Sequence, residues 1–322
     1  MRFELRHITQ YHYEEPVHES LMEVWMQPQQ SAHQRLLSFD LEVDPHTLVF
    51  SYADNYGNTV HHFDLPQPHQ ALRIEARAAV ETVSLPQIPE ALPLATWAAL
   101  DHEATRGECW DFLRLQGYCA ASPALSRFAD VRGLASPRNT DPLTAAKRLM
   151  TTLYEAFGYE QGITGADSPI DHALAEGKGV CQDFAHIMIA ICRGWGLPAR
   201  YVSGYLFTNQ DVGDRSDPDA THAWVEVYLA SLGWVGFDPT NNVLAGVRHI
   251  TTAIGRDYAD VPPSRGVFKG DSQSQLSVGV SVRETGTGPA QPEFMRLGAP
   301  AIAAARKRAT SAALMDQRHQ QQ

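Results

Sequence analysis

The chain has 322 residues, 43% of them hydrophobic and 20% charged, with 26 basic against 37 acidic side chains and a formal net charge of −11. That length exceeds the usual size of one hydrophobic core, so two domains are expected. The acidic balance argues against a general nucleic-acid binder, whose affinity rests on neutralising phosphates, and no apolar run approaches the roughly 18–20 residues that cross a bilayer. Neither nucleic acid nor membrane is therefore an expected partner. The opening Met1-Arg2-Phe3-Glu4-Leu5-Arg6-His7 alternates like a strand and has no apolar leader core, which points to the cytoplasm. Cys109, Cys119, Cys181 and Cys192 include no CxxC pair, and four thiols in a chain this long do not make a disulfide scaffold.

Residues 1 to about 84 read as a β-rich N-terminal domain. Phe3, Leu5, His7, Thr9, Tyr11 and Tyr13 share one strand face, and Leu36–Val43 suggests another strand. Asp54-Asn55-Tyr56-Gly57-Asn58 is a strong turn signal. Leu72–Val83 fits strand or helix, and its neighbours favour strand. Pro86, Pro89 and Pro93 open a connector, 85–139, with short helical stretches broken by Gly and by Ser-Pro pairs. Asp141 as N-cap with Pro142 in the first turn starts a helix that runs towards Phe157.

A dense apolar helix is predicted from Val180 to Trp195, with Val180, Phe184, Ile187, Met188 and Ile191 on one face and further apolar residues around the cylinder, as in a buried central helix. Strands are expected at Arg200–Phe207, Ala223–Leu229 and Trp234–Asp238, and one more at Leu276–Val282. The core would span 140–283, and 284–322, rich in Gly, Pro, Ala and Gln, reads as a disordered tail.

Cys181 falls in the first turn of the central helix, where unsatisfied backbone N–H groups and the macrodipole favour a thiolate. Without partners, a buried structural thiol is the commoner reading. His222 opens a strand whose even-numbered residues share one face, and a lone histidine there is usually structural. Asp238 follows at +16 on the next strand. If the two strands form a hairpin, a register with an even pair sum, such as Tyr228 opposite Trp234, places His222 and Asp238 on the same face as diagonal neighbours. An odd register separates them. Brought together, thiol, imidazole and carboxylate form a nucleophile, base and orienting acid. The same three side chains could in principle ligate zinc, but they offer only three ligands and no compact ligand pair.

Gly177-Lys178-Gly179-Val180-Cys181-Gln182-Asp183-Phe184-Ala185-His186 resembles the cysteine motif of bacterial transglutaminase-like proteins. Gly196–Tyr205 looks like the strand that follows it there, and Thr221–Val227 and Trp234–Thr240 match the family's histidine and aspartate motifs in order. The N-terminal β region is similar, more loosely, to the β domain that precedes the core in many bacterial members. The resemblance implies an α+β, papain-like cysteine fold, with an antiparallel sheet packed on a central helix. It implies Cys181 as nucleophile, His222 as base and acid, Asp238 as orienter and a thioester intermediate. It also implies a second oxyanion donor beside the Cys181 N–H, with Tyr159 and Tyr154 as candidates. Expected, then, is an enzyme acting on amide bonds of a peptide or protein by hydrolysis, deamidation or transglutamination, needing no cofactor or metal. The alternative is a binding or scaffold protein that retains the fold. Asp183 is expected to be structural, Cys192 a core thiol, and Trp224 and Trp234 packing residues of the hairpin.

Overall fold

The computed structural model describes residues 1–84, 86–104, 109–208 and 213–285; the expected tail lies, from 286 onward, outside them. The N-terminal strands are β1 (Arg2–Val24), β2 (Gln34–Asp44), β3 (Phe50–Ala53), β4 (Thr59–Leu65) and β5 (His69–Thr82), in the spatial order β2-β5-β1-β4-β3. Alternation in β1 buries Phe3, Leu5, His7, Thr9 and Tyr13 on one face. The turn expected at 54–58 joins β3 to β4. There Asp54 Oδ1 accepts the N–H groups of Tyr56 and Asn58, and Gly57 takes φ +79°.

The segment expected to be a connector holds α1 (Thr96–Ala104) and α2 (Pro123–Val131). It contributes Trp97, Leu100, Cys119, Leu125 and Leu134 to the same core cluster as the central helix. Next come α3 (Pro142–Ala156), β6 (Gly158–Tyr159), α4 (Ile170–Glu176), β7 (Lys178–Gly179) and α5 (Cys181–Gly194). Asp141 caps α3 by accepting from the N–H groups of Leu143 and Thr144, as its position before Pro142 predicts.

The core sheet is antiparallel: β8 (Ala199–Leu206), β9 (His222–Leu229), β10 (Gly233–Asp238), β11 (Val243–Leu244) and β12 (His249–Gly255), in the order β11-β10-β9-β8-β12. Ala223, Val225, Val227, Leu229, Val235 and Phe237 lie in one core with α5. Phe184, Ile187, Met188 and Ile189 of that helix are fully buried, each contributing roughly 1.5–3 kcal/mol of apolar transfer. At the far end of α5 the buried Arg193 guanidinium donates to the carbonyls of Ala199, Arg114 and Arg256, tying the helix to β8.

The chain then returns through β13 (Ser264–Lys269) and β14 (Ser274–Glu284), and both pair with β1. The strand expected at 276–282 therefore belongs to the N-terminal sheet, where Phe3 stands opposite Glu284 and Tyr13 opposite Ser274. Two carboxamides, Gln34 at the start of β2 and Asn58 in the β3–β4 turn, close the open edge of β12. Gln34 donates to the Thr251 carbonyl and accepts the Thr251 N–H, each at 2.8 Å. Asn58 does the same at Ile254, also at 2.8 Å. An edge strand's unpaired backbone is thus satisfied without another strand. Replacing the buried Asn58 by Ala strands the Ile254 N–H and C=O and removes its bonds to Asp54 and Gln29. Urea unfolding of Asn58→Ala is expected to show a loss of about 2–4 kcal/mol; a change below half a kcal/mol would contradict this account.

Candidate active site

The entry to α5 is built by Gly179 and Asp183. Asp183, at the third helical position, accepts the Val180 N–H at 2.8 Å and the Thr164 hydroxyl at 2.6 Å, half of a capping box. A Cβ at residue 179 would meet the Asp183 carboxylate at 2.6 Å, so this position requires glycine. Burial raises the Asp183 pKa against the pull of those donors. The residue is structural, as expected, and it leaves Cys181 half-buried at the head of the helix, where first-turn N–H groups have no intrahelical partner.

The hairpin register pairs Trp234 with Tyr228, an even sum. His222 and Asp238 consequently share a face and meet: His222 Nε2 donates to Asp238 Oδ2 at 2.8 Å, both side chains being buried. With Nε2 committed, Nδ1 is the ring nitrogen left for the thiol; Ser216 Oγ lies 3.3 Å from it. Burial opposes charging the His222 ring, but the Asp238 carboxylate and a hydrogen bond to Cys181 outweigh it and push the pKa up to about 10. Asp238 is held well below the carboxylate range by His222 and His249, again against burial. Cys181, His222 and Asp238 are thus brought together.

Three residues absent from the sequence reading complete the cluster. Asn241 donates its Nδ2 to Asp238 Oδ2 at 2.7 Å and to Ser216 Oγ at 2.8 Å, while its Oδ1 accepts the Arg215 N–H. Ser216 is thereby fixed beside the His222 ring. His249, at the start of β12, reaches Asp238 Oδ2 at 3.2 Å. Oδ1 accepts the Thr240 and Asn241 N–H groups at 3.0 and 3.2 Å. The only sequence signal for Asn241 was its place just past the Asp238-Pro239-Thr240 turn. His249 lies on a strand that the sequence reading did not assign.

Trp224 is fully buried, stacked on His222 at 6.0 Å and edge-on to His249 at 5.1 Å. Gly204 opposite makes this packing possible, because a Cβ there would overlap the Ile250 carbonyl and meet the Trp224 ring at 2.8 Å. Trp234 packs on Tyr228 and Phe112 and carries the Arg200 guanidinium at 4.1 Å. Both tryptophans are hairpin packing residues, as expected. Cys192 is a core thiol that burial pushes up to about 12.

Of the two oxyanion candidates, Tyr159 stands opposite Gly179 in the β6–β7 pair. Burial and the nearby Cys181 push its hydroxyl up to about 12. Tyr154 instead lies under the Arg215 guanidinium at 3.4 Å. His222, Asp238 and His249 each offer a donor atom within 4.8 Å of the others, a set a transition metal could use. Hydrogen bonds among the three account for that convergence. No helix among the described residues is long and apolar enough to cross a membrane.

The family model for the transglutaminase-like superfamily matches residues 133–239, and that for the bacterial transglutaminase-like N-terminal region matches residues 3–81. An uncharacterized protein of Mycobacterium leprae is 33% identical over 87% of this chain and 98% of its own length. A protein-glutamine gamma-glutamyltransferase of Pseudomonas aeruginosa is 33% identical over 101 residues, 28% of this chain and 14% of that protein. Among solved structures, a Cytophaga hutchinsonii protein named as a candidate cysteine protease superposes with a TM-score of 0.67 at 22% identity, covering 91% of this chain and 94% of that one.

The pair's pH dependence has a definite sign. His222 holds its proton more tightly folded than unfolded. Its stabilisation is complete below the ordinary value of 6.5 and is lost as pH rises towards about 10. Asp238, depressed, stabilises above its ordinary 3.8 and loses this as pH falls. Thermal melts between pH 6.5 and 10 should decline for the parent protein and flatten in Asp238→Ala; parallel declines would refute the pairing.

Proposed function

Because this chain belongs to the transglutaminase-like superfamily, we propose that it is a cysteine-nucleophile enzyme that transfers the acyl group of a peptide or protein amide through a thioester on Cys181. The observation that carries the reading is the His222–Asp238 contact at 2.8 Å beside the thiol at the head of α5. A buried, carboxylate-held imidazole of raised basicity is what a thiol needs to give up its proton ahead of attack.

In the resting pair His222 Nδ1 already holds the proton taken from Cys181, and the sulfur attacks as a thiolate, bonding to the amide carbon and leaving an oxyanion. The Cys181 N–H and the Tyr159 hydroxyl are the proposed donors to that oxygen. Collapse breaks the C–N bond, and His222 returns the proton to the departing amine. Water or a primary amine then gives a proton to His222 and attacks the thioester, releasing a carboxylic acid or a new amide and regenerating the thiolate beside the protonated ring. Hydrolysis needs no second binding site, which favours water. The named activity of the Pseudomonas relative supports an amine. A reducing, cytoplasmic setting would keep Cys181 a thiol.

Incubation with peptide pools, with and without a primary amine, should give mass changes for cleavage, deamidation or amine addition that vanish in Cys181→Ala. Persistence in that variant would refute the nucleophile. Asp238→Asn should retain the fold but lower turnover by about 10²–10⁴. Tyr159→Phe should lower turnover by on the order of 10²-fold with little change in KM; wild-type turnover in that variant would remove Tyr159 from the oxyanion site.

A further inference from the structure

We propose that His249 is a positioning residue for this reaction: a neutral imidazole that donates to Asp238 Oδ2 and fixes the oxygen on which His222 is oriented. The proposal rests on the Cys181–His222–Asp238 reading and adds a group to it that acts only through the carboxylate.

Two contacts determine the tautomer. The Gly246 N–H donates to His249 Nδ1 at 3.2 Å, so Nδ1 bears no proton. In the neutral ring the proton is therefore on Nε2, which lies 3.2 Å from Asp238 Oδ2 and can only donate to it. Oδ2 then receives three side-chain donors, His222, Asn241 and His249. With that many partners the carboxylate can neither rotate nor shift without leaving a buried donor unpaired. Trp224 braces both rings, flat against His222 and edge-on to His249.

The charged and titratable groups around His249 keep it neutral. Burial lowers its pKa foremost; Asp238 opposes this, and His222 and Arg248 add to the lowering. Arg248 is itself held by Asp214 at 2.5 Å. His249 also lines a cavity of about 230 Å³ whose wall includes His33 and Glu226; Glu226 is paired with Arg200 at 2.6 Å. A third donor also tempers the carboxylate. Without it, more of the Asp238 charge falls on His222, whose imidazolium becomes harder to deprotonate and less firmly oriented.

The test needs no substrate. Alkylation of Cys181 by iodoacetamide, located by mass spectrometry and followed from pH 5 to 11.5, should show an alkaline step that marks loss of the His222 proton. In His249→Phe that step should move up by about 0.5–1 pH unit, and turnover on any substrate found should fall on the order of 10- to 100-fold with KM little changed. His249→Gln, which retains an N–H donor, should restore both. A folded His249→Phe with an unmoved step, or a His249→Gln as impaired as His249→Phe, overturns the proposal alone. A parent protein with one ordinary thiol step, insensitive to His222→Ala, overturns the enzyme reading and this proposal with it. Should His249→Phe fail to fold, long-range ¹H–¹⁵N spectra of the parent protein decide: a proton on Nε2 and no titration near neutral pH is expected, and a proton on Nδ1 refutes the assignment.

Discussion

Everything in the core is arranged around one carboxylate taken fully out of water. Burying an ionised Asp238 without partners would cost several kcal/mol even after relaxation, so the surrounding chain is committed to supplying donors. Five N–H groups converge on it: two backbone amides from the turn that follows β10, the Asn241 side chain, and the rings of His222 and His249. These come from three separate stretches of chain, and each must hold its register for the charge to be tolerated. The hairpin register, the close approach at Gly204 and the seat of Trp224 are consequences of that requirement as much as of apolar packing. The same convergence leaves His222 with one nitrogen not held by the carboxylate, Nδ1, which lies beside Ser216 Oγ and is the one left for the Cys181 thiol.

The order of forces differs at the other end of the thiol–imidazole contact. Cys181 is placed by a helix that would be buried whatever the chemistry, because apolar residues surround its axis from Phe184 to Ile191. What is specific there is the entry: Gly179 gives room for the Asp183 carboxylate, which caps the helix from within and leaves the first turn facing outward. Packing alone could bury the helix with its N-terminus anywhere along the sheet. The cap and the short β6–β7 pair fix where it starts, and they put Tyr159 next to it.

The parts legible in the sequence were those set by local period or by an adjacent signal. Asp141-Pro142 announced α3, the apolar run announced α5, and the turn at 54–58 announced the β3–β4 hairpin. The even parity of positions 222 and 238 made their meeting conditional on one register, and the hairpin adopted it. The pieces that were missed depend on distant chain. β12 has a β-prone run, His249 to Ile254, but its partner strand β8 lies across the whole β9–β11 excursion, and its closure by Gln34 and Asn58 spans about 200 residues. The role of His249 follows only from that placement. Likewise β14 has an alternating pattern that fits either sheet, and only the long free edge of β1 decides which one it joins.

That last pairing changes how the two parts of the molecule depend on each other. The N-terminal sheet takes strands from both ends of the described chain, with β13 and β14 lying along β1, so the core from α1 to β12 is enclosed between them in sequence. Removing residues 1–84 would not trim a separate module. It would leave β14 without its partner, expose the backbone of Thr251 and Ile254, and loosen the strand on which His249 sits. The N-terminal region therefore acts on the candidate site without touching it: Gln34 holds β12 at Thr251, two residues from His249, and His249 holds the carboxylate. In physical terms the N-terminal sheet supports the strand that in turn steadies the buried charge.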